Sequence, residues 1–435
     1  SLPYWKEPVM YQTSGDFRID LPPGKWRISL EHGNEYVPLT AAFVVSRGER
    51  ELTKTFRLKR WIDLPRRGWY SGDVHVHHPT NKPAFRAYLL EYAKAEDVHL
   101  VNVLAMGHHR GTDFEQAGFG EEFRTCEGTV CLVSGQEDPR SDFGHIIGLN
   151  IRQLVRDTSA YNYYDRVFEK LHRQPGALVG YAHFAWRGDG MPKGFPWYVT
   201  TGDIDFVELL QNARINTLDY YDYLNLGFKI AAAAGSDFPW GSTIGDTRTV
   251  VYTGRAFSAD AWFAGLKAGH SFVTNGPALF LEADGHLPGT EITKTTGSNT
   301  EIKVVASSDP GIGTIHRVAI YNNDGLLVEQ TNPKKRNSLT IKLVHPLRKS
   351  QWLAAVVECD NGAVAHTTPV YLVVDGKPTY DRAKAPLLIQ KQREAIALIR
   401  TEERAKPTVD RGILERLEKA EKFYEKLRSE INAGR

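Results

Sequence analysis

Asp73, His75 and His77, within the stretch WYSGDVHVHH at residues 69 to 78, are side chains able to bind a metal ion or move a proton. They occupy alternate positions of a short segment suited to a strand, and alternate strand positions share one face. Two imidazoles and a carboxylate converging from one face favour a metal site over an ordinary core, where unpaired polar groups are costly. Val74 and Val76 would then face the opposite, apolar side. An isolated His-x-His is as readily a pair of solvated histidines, so the rest of the chain decides.

Four further polar clusters shift the balance: AMGHHRGTD with His108, His109 and Arg110; VSGQEDPRSDFGH with Glu137 and His145; VGYAHFAW with His183; and AAAAGSDFP with Asp237. Each follows an apolar run. The runs HLVNVLAM, GTVCLVSG, GALVGYA and FKIAAAAG read as strands buried on both faces, as parallel strands in α/β folds are. Polar residues at the ends of such strands gather, in a β/α barrel, at one mouth.

Helical spacing fills the intervals, in Phe85, Tyr88, Leu89 and Tyr92 and again in Tyr164, Val167, Phe168 and Leu171. A third helix is expected around NTLDYYDYLNLG, and a fourth in SADAWFAGLKAGH with Ser258 as N-cap and Gly269 as stop.

Residues 60 to 290 resemble the PHP (polymerase and histidinol phosphatase) superfamily of metal-dependent hydrolases, and more closely its CehA/McbA, carbaryl-hydrolase-like branch. The motifs are WYSGDVHVH, AEDVHLVNVL, YYDYLNLGFKIAAAAGSD, TRTVVY and GLKAGHSFVTNGPALFLEADGHLPG, in that order. The resemblance implies a distorted β/α barrel of the amidohydrolase type, one to three metal ions, and hydrolysis by metal-bound hydroxide.

Position by position, it implies His75 and His77 as the opening ligand pair, Glu137 as a carboxylate bridging two metals, His183 as a later ligand and Asp237 as the closing aspartate. His108 stands where related proteins carry the histidine of an Asp-His pair, with Gly107 in place of the aspartate and His109 competing for the role. His145 matches a histidine after the carboxylate motif, as ligand or proton shuttle. Relatives often close with Ser-Asp-x-His; here Ser236 and Asp237 precede Phe238, Pro239 and Trp240, which argues for one or two ions instead of three.

Nitrogen and carboxylate donors without thiolate suit zinc, manganese or iron. Cys126, Cys131 and Cys359 lack the paired spacing of a structural zinc site, and spacing alone does not pair any two of them. A bound ion would bring the pKa of a water from about 16 towards about 7. Asp237 is then expected to orient that water and carry its proton, His145 to assist, and Asp73 to support the ligands from behind. Arg248, in TRTVVY, is expected to bind an anionic or carbonyl oxygen, with a packing role as the equal alternative. Arg110, Trp186, Arg187, Trp197 and Trp240 are candidates for the substrate pocket.

A chain of 435 residues with 41% hydrophobic content supports several domains. With 54 basic against 52 acidic residues there is no basic stripe to meet nucleic acid. No run of about 20 apolar residues suggests a membrane span. Relatives often carry an export leader, so a periplasmic or extracellular protein is expected, with the cytoplasm as alternative.

The expected division is a small β-sandwich over 1–67, the metallohydrolase barrel over 68–276, a second β-sandwich over 277–378 and a helical tail over 379–435. In the first, Phe17, Ile19 and Leu21 alternate on one side of LPPGKW and Trp26, Ile28 and Leu30 on the other, which suits a hairpin. In the tail, Ile413, Leu417, Ala420, Tyr424, Leu427 and Ile431 form a heptad-like stripe that either seals a helix hairpin or joins a homo-oligomer. Three functional classes fit: a metal-dependent hydrolase of a small-molecule ester, carbamate, amide or phosphoester; a metal- or carbohydrate-binding protein; and a metal-dependent lyase.

Overall fold

The computed structural model describes residues 12–13, 15–186, 193–241, 243–254 and 256–433. Its central feature is a mixed sheet built from β1 (Trp69–Val76), β2 (Leu100–His108), β3 (Val130–Ser141), β4 (Gly144–Leu149), β5 (Leu178–Tyr181), β6 (Phe206–Gln211), β7 (Ala231–Ala234) and β8 (Arg248–Tyr252). Their spatial order is β8-β1-β2-β3-β4-β5-β6-β7. The pairs β1–β2, β2–β3, β5–β6 and β6–β7 are parallel, while β4 runs antiparallel to β3 and β5.

The fully buried runs follow from cover on both faces. One face of all eight strands meets in a single cluster that includes Val74, Leu100, Val133, Ile147, Leu178, Phe206, Ala233 and Val251, with Trp262 of the helix α4 (Ala259–Lys267). On the other face, Val101, Val103 and Leu132 pack under α1 (Pro83–Ala95), and Val179, Val207 and Leu209 share a cluster with α2 (Tyr164–His172) and α3 (Thr217–Asn225). Ser258 caps α4 by accepting the Ala261 N–H at 3.1 Å, and Gly269, with φ +73°, follows its end.

Between β7 and β8 hydroxyls take the place of a strand ladder. Thr249 Oγ1 accepts the Ala234 N–H at 2.7 Å and donates to the Ala234 carbonyl at 3.0 Å. Thr368 Oγ1 accepts the Ala232 N–H, and Ser271 Oγ donates to the Ala232 carbonyl. Four consecutive alanines allow this close approach. Beyond β7, Phe238 bridges to Val76 of β1, its carbonyl accepting the His77 N–H at 2.7 Å.

β9 (Ser271–Thr274) pairs with β8 and with the strand Val364–Thr367, so the sheet continues into the C-terminal region. There a three-stranded sheet (Ala278–Ala283, Asn299–Ser307, Ser338–Pro346) packs against strands Ile315–Asn322, Gln351–Cys359 and Val370–Val374 across a shared core of Leu279, Val304, Ile320, Leu353 and Val357. Trp69, Val250 and Phe272 from the central sheet join the same core, so no free linker separates the two regions.

The tail helices α5 (Ala385–Arg404) and α6 (Arg411–Ala433) pair with each other, with Arg393–Glu425 and Arg400–Glu421 ion pairs between them. The stripe Ile413, Leu417, Ala420, Tyr424 and Ile431 is buried in the cluster that holds Phe143, Trp197 and Tyr198. Docking on the chain itself therefore consumes the surface that an oligomer through this stripe would have used.

The N-terminal region departs most from expectation. The strand Gly24–Leu30 alternates as anticipated but pairs with Leu39–Val45, not with residues 17 to 21, which form no strand. Phe17 and Ile19 are about half exposed, because the ladder presents no second layer to cover them. Among the described residues this region holds two two-stranded ladders. No helix of the described residues is long and apolar enough to cross a membrane.

Candidate metal centre

The ends of β1, β3, β5, β6 and β7 and the start of β4 bring the polar residues to one end of the sheet. His75, His77 and Glu137 are buried and their functional atoms converge. His75 Nε2 lies 2.9 Å from His77 Nε2, 3.4 Å from Asp237 Oδ1 and 3.5 Å from Glu137 Oε1. His77 Nε2 lies 3.4 Å from Glu137 Oε2. On the other side of the same carboxylate, Glu137 Oε1 is 2.7 Å from His145 Nδ1 and 3.3 Å from His183 Nε2, and those two nitrogens are 3.2 Å apart. Three groups of donors have the proximity that an ion requires: His75, His77 and Asp237; Glu137, His145 and His183; and His75, His183 and Glu208.

The far side of each ring fixes which nitrogen faces the cluster. His77 Nδ1 meets the Leu104 carbonyl at 3.2 Å, and a carbonyl only accepts, so Nδ1 holds the proton and Nε2 presents its lone pair. His75 Nδ1 is held by Glu208 Oε1 at 2.9 Å and His183 Nδ1 by Gln211 Oε1 at 2.9 Å, with the same consequence. Three lone pairs and two carboxylates thus face one space, which is the donor set of a borderline cation.

The charge balance agrees. Burial disfavours charge on His75, yet the carboxylates of Glu208, Asp237 and Glu137 outweigh it and hold the imidazole well above its ordinary range, so a metal ion at Nε2 would take the place of a proton there. Burial likewise opposes the charge of Glu137, but His145 and His75 together hold its carboxyl well below the usual range. Among the described residues, Arg140 is the permanent cation in contact with the cluster, its Nε 2.8 Å from Glu137 Oε2. Three carboxylates against the Arg140 guanidinium and a charged His75 leave a net negative site, which favours a cation.

Glu208 is the residue that sequence reasoning missed. Its Oε1 holds His75 and its Oε2 accepts the His183 N–H at 2.7 Å, so one buried carboxylate orients a ligand of each group. The signal was present in FVELLQ, an acid inside a strand buried along its whole length. Gln211 and Arg140 were missed for a similar reason, the latter because EDPRSD reads as a polar loop. His183 and Asp237 take left-handed backbone, with φ +58° and +56°, a strained conformation for residues other than glycine and one that concentrates at functional sites.

Asp73 is fully buried behind the ligands. Its Oδ1 accepts the N–H groups of His75 and Ser236 at 3.0 Å each, and Oδ2 that of Gly245 at 2.9 Å. Burial pushes its carboxyl up to about 6 against the pull of these bonds.

Several expected roles move. Arg248 is 2% exposed and engaged with backbone carbonyls: Nε donates to Gly245 at 2.6 Å, and its two amino groups to Asp97 and Glu96. It packs the frame and does not face the ligands; the guanidinium that contacts the cluster is that of Arg140. His108 belongs to none of the three donor groups. Its ring is 42% exposed and meets Asp113 at 3.5 Å, because β2 continues into a tight hairpin that carries it outward. His109 packs at a tilt against the Tyr161 ring, and Arg110 is exposed on that same hairpin turn.

A Cβ at Gly107 would fall on the Asp138 carboxyl, which occupies the room an aspartate there would need. Asp138 in turn pairs with Arg156 at 2.8 Å. Trp197 is core, stacked on Tyr198. Trp186 lies beside His183 under the Arg214 guanidinium, 3.9 Å from its ring, with a buried indole N–H that has no partner. Trp240, half exposed, sets its edge against His77 at the rim. Arg187 lies outside the described residues. Cys126 and Cys131 face each other across adjacent strands and form a disulfide, while Cys359 is a buried free thiol.

No family model and no curated protein matches the chain. Among solved structures, PsfC from Pseudomonas syringae PB-5123 is similar over 45% of this chain and 88% of its own, at 16% identity and a TM-score of 0.35. The lesion-specific endonuclease PfuEndoQ from Pyrococcus furiosus is similar over 46% of this chain and 55% of its own, at 13% identity and a TM-score of 0.29. The fibronectin(III)-like modules of Clostridium thermocellum CbhA match 21% of this chain at 21% identity and a TM-score of 0.16. Likenesses at these scores carry no functional argument.

Proposed function

We propose that the chain is a metal-dependent hydrolase of the PHP and amidohydrolase type, acting on an ester, carbamate, amide or phosphoester of a small molecule with one or two ions of zinc, manganese or iron. The observation that carries this reading is Glu137, one buried carboxylate placed between His75 and His77 on one side and His145 and His183 on the other. The distorted barrel that such a site implies is supported by the single cluster to which all eight strands contribute.

When bound, the ions would supply Lewis acidity and a water acidified towards neutral pH. His75, His77 and Asp237 would hold one, His145 and His183 a second, with Glu137 shared. Asp237, the least buried of these carboxylates, orients the attacking water and receives its proton. Arg140 offers its guanidinium to the oxygen on which charge develops. Trp186 and Trp240 bound the space in which a substrate lies. The Cys126–Cys131 bridge supports an oxidising compartment, hence the exported reading.

The test is metal content per chain by mass spectrometry on untagged protein purified without chelator, for the wild type and for the His75→Ala, His77→Ala double variant. One or two ions are expected in the first and none in the second, with turnover of an ester, carbamate and phosphoester panel lost in parallel. Asp237→Asn should keep most of the metal and lose turnover. Normal turnover by the double variant would overturn the site.

A further inference from the structure

The two halves of the metal centre are covered unequally. The side chains of His75 and His77 are 0% and 1% exposed, whereas those of His145 and His183, across Glu137, keep 17% and 13%. Asp237, at 20%, is the opening of the first half. Donor chemistry does not explain the difference, because both halves are built from imidazoles and a shared carboxylate.

Two aromatic rings close the first half. Phe114 lies 5.4 Å from the His77 ring and Trp240 5.1 Å from it, and the two meet edge to face at 5.5 Å. Trp240 stands beside the opening, its N–H donating to the Asp237 carbonyl at 2.9 Å. Trp240 is half exposed and Phe114 partly so, which places both at the boundary between the ligands and water.

The position of Phe114 is a held one. Its backbone is left-handed, with φ +57°, a costly conformation for a bulky side chain. Gln116 secures it: Nε2 donates to the carbonyls of Phe114 at 2.6 Å and His78 at 3.1 Å, and Oε1 accepts the hydroxyls of Thr80 at 2.8 Å and Ser134 at 3.3 Å. Thr80 Oγ1 in turn accepts the Ala117 N–H at 3.0 Å. The loop after the β2 hairpin is thereby latched to the segment leaving β1 and to β3. A strained residue held by its surroundings against a ligand is the pattern that functional positions retain.

We infer that Phe114 and Trp240 shield the position formed by His75, His77 and Asp237, with Gln116 as the positioning residue of the shield, so that the two halves hold ions of different lifetime. An ion behind the rings stays; one at His145 and His183 exchanges with the surrounding metal pool. The physical basis is access, since an apolar surround limits the approach of water or a competing ligand to the ion. This rests on the metal-centre reading above and adds that its two positions are unequal.

The test loads the full chain with zinc, removes the excess and follows release to an excess of the chromogenic chelator 4-(2-pyridylazo)resorcinol. Two phases are expected, at least about tenfold apart in rate. His145→Ala should delete the fast phase and keep the slow one. Trp240→Ala should speed the slow phase by about tenfold and leave the fast one in place, and Trp240→Phe, which keeps a ring, should restore slow release. Because Trp240 is half exposed, the metal-free Trp240→Ala protein should melt close to the wild type, which separates a lost shield from a lost fold. Release of all zinc in one phase, a slow phase unchanged in Trp240→Ala, or equal acceleration of both phases would each overturn the shield and leave the metal centre standing. A wild type that retains no zinc would overturn the metal centre itself, and the shield with it.

Discussion

Two neighbouring regions use the same kinds of side chain for opposite ends. At the mouth, His75, His77, His145, His183, Glu137 and Asp237 aim their functional atoms at one another, and the far nitrogens of His75, His77 and His183 are anchored. Directly behind, Asp73 and Arg248 turn mainly to backbone: three N–H groups for one, with the Ser236 hydroxyl beside them, and three carbonyls for the other. Residue type does not distinguish chemistry from framework. The distinction lies in whether the functional atoms meet one another or meet the main chain.

The arginines give the sharpest way to break that comparison. Arg248→Ala removes the guanidinium donors from the carbonyls of Gly245, Glu96 and Asp97, the last keeping only the Ser71 hydroxyl, and should cost on the order of 3 kcal/mol in urea unfolding, with metal still bound by whatever remains folded. Arg140→Ala should leave the urea midpoint nearly unchanged and lower kcat by about a hundredfold. An exchange of these two phenotypes would mean that the guanidinium facing the backbone is the functional one.

Glu208 lies on the boundary between the two regions, since it orients ligands without belonging to the mouth. Glu208→Gln keeps an acceptor for His75 but removes the charge, and metal affinity by competition with a chelator should fall about ten- to a hundredfold. Unchanged affinity would place Glu208 in the frame with Asp73.

The smallest effect is a pH dependence within the frame. Burial, with Asp97 adding, raises Glu35 from its ordinary 4.5 to about 7. The folded chain therefore keeps a proton that the unfolded chain releases, and stability from this group is present below about 4.5 and lost as pH rises to about 7. Glu35→Gln lacks that loss, so it should gain stability relative to wild type as pH rises from 4.5 to 8, read from paired urea curves. A constant difference across that range would show that Glu35 titrates normally.

How much of this was legible depended on which physical signal each residue left in the chain. His75, Glu137, His183 and Asp237 stood out because a polar residue ending an apolar run has one economical explanation, a shared mouth. Glu208 left an equally good signal, an acid in a buried strand, that went unread. Arg248 and His108 could not be resolved, because composition does not say whether a side chain at a strand end turns inward, to the backbone, or out along a hairpin. The N-terminal alternation around Phe17 and Ile19 shows a pattern without a second layer to bury it. The stripe of the last helix was visible, but its occupant was found only in the packing against Trp197 and Tyr198.

Gly107 and Asp138 carry a consequence for how this chain can change. Any side chain at Gly107 would meet the Asp138 carboxyl, which is tied to Arg156, so a substitution there requires that carboxylate to move. Shortening Asp138 would make that room but would take its carboxylate from Arg156, whose guanidinium also reaches the His108 carbonyl. Substitutions at the two positions should therefore be non-additive in stability, since each changes the room and the partner left to the other.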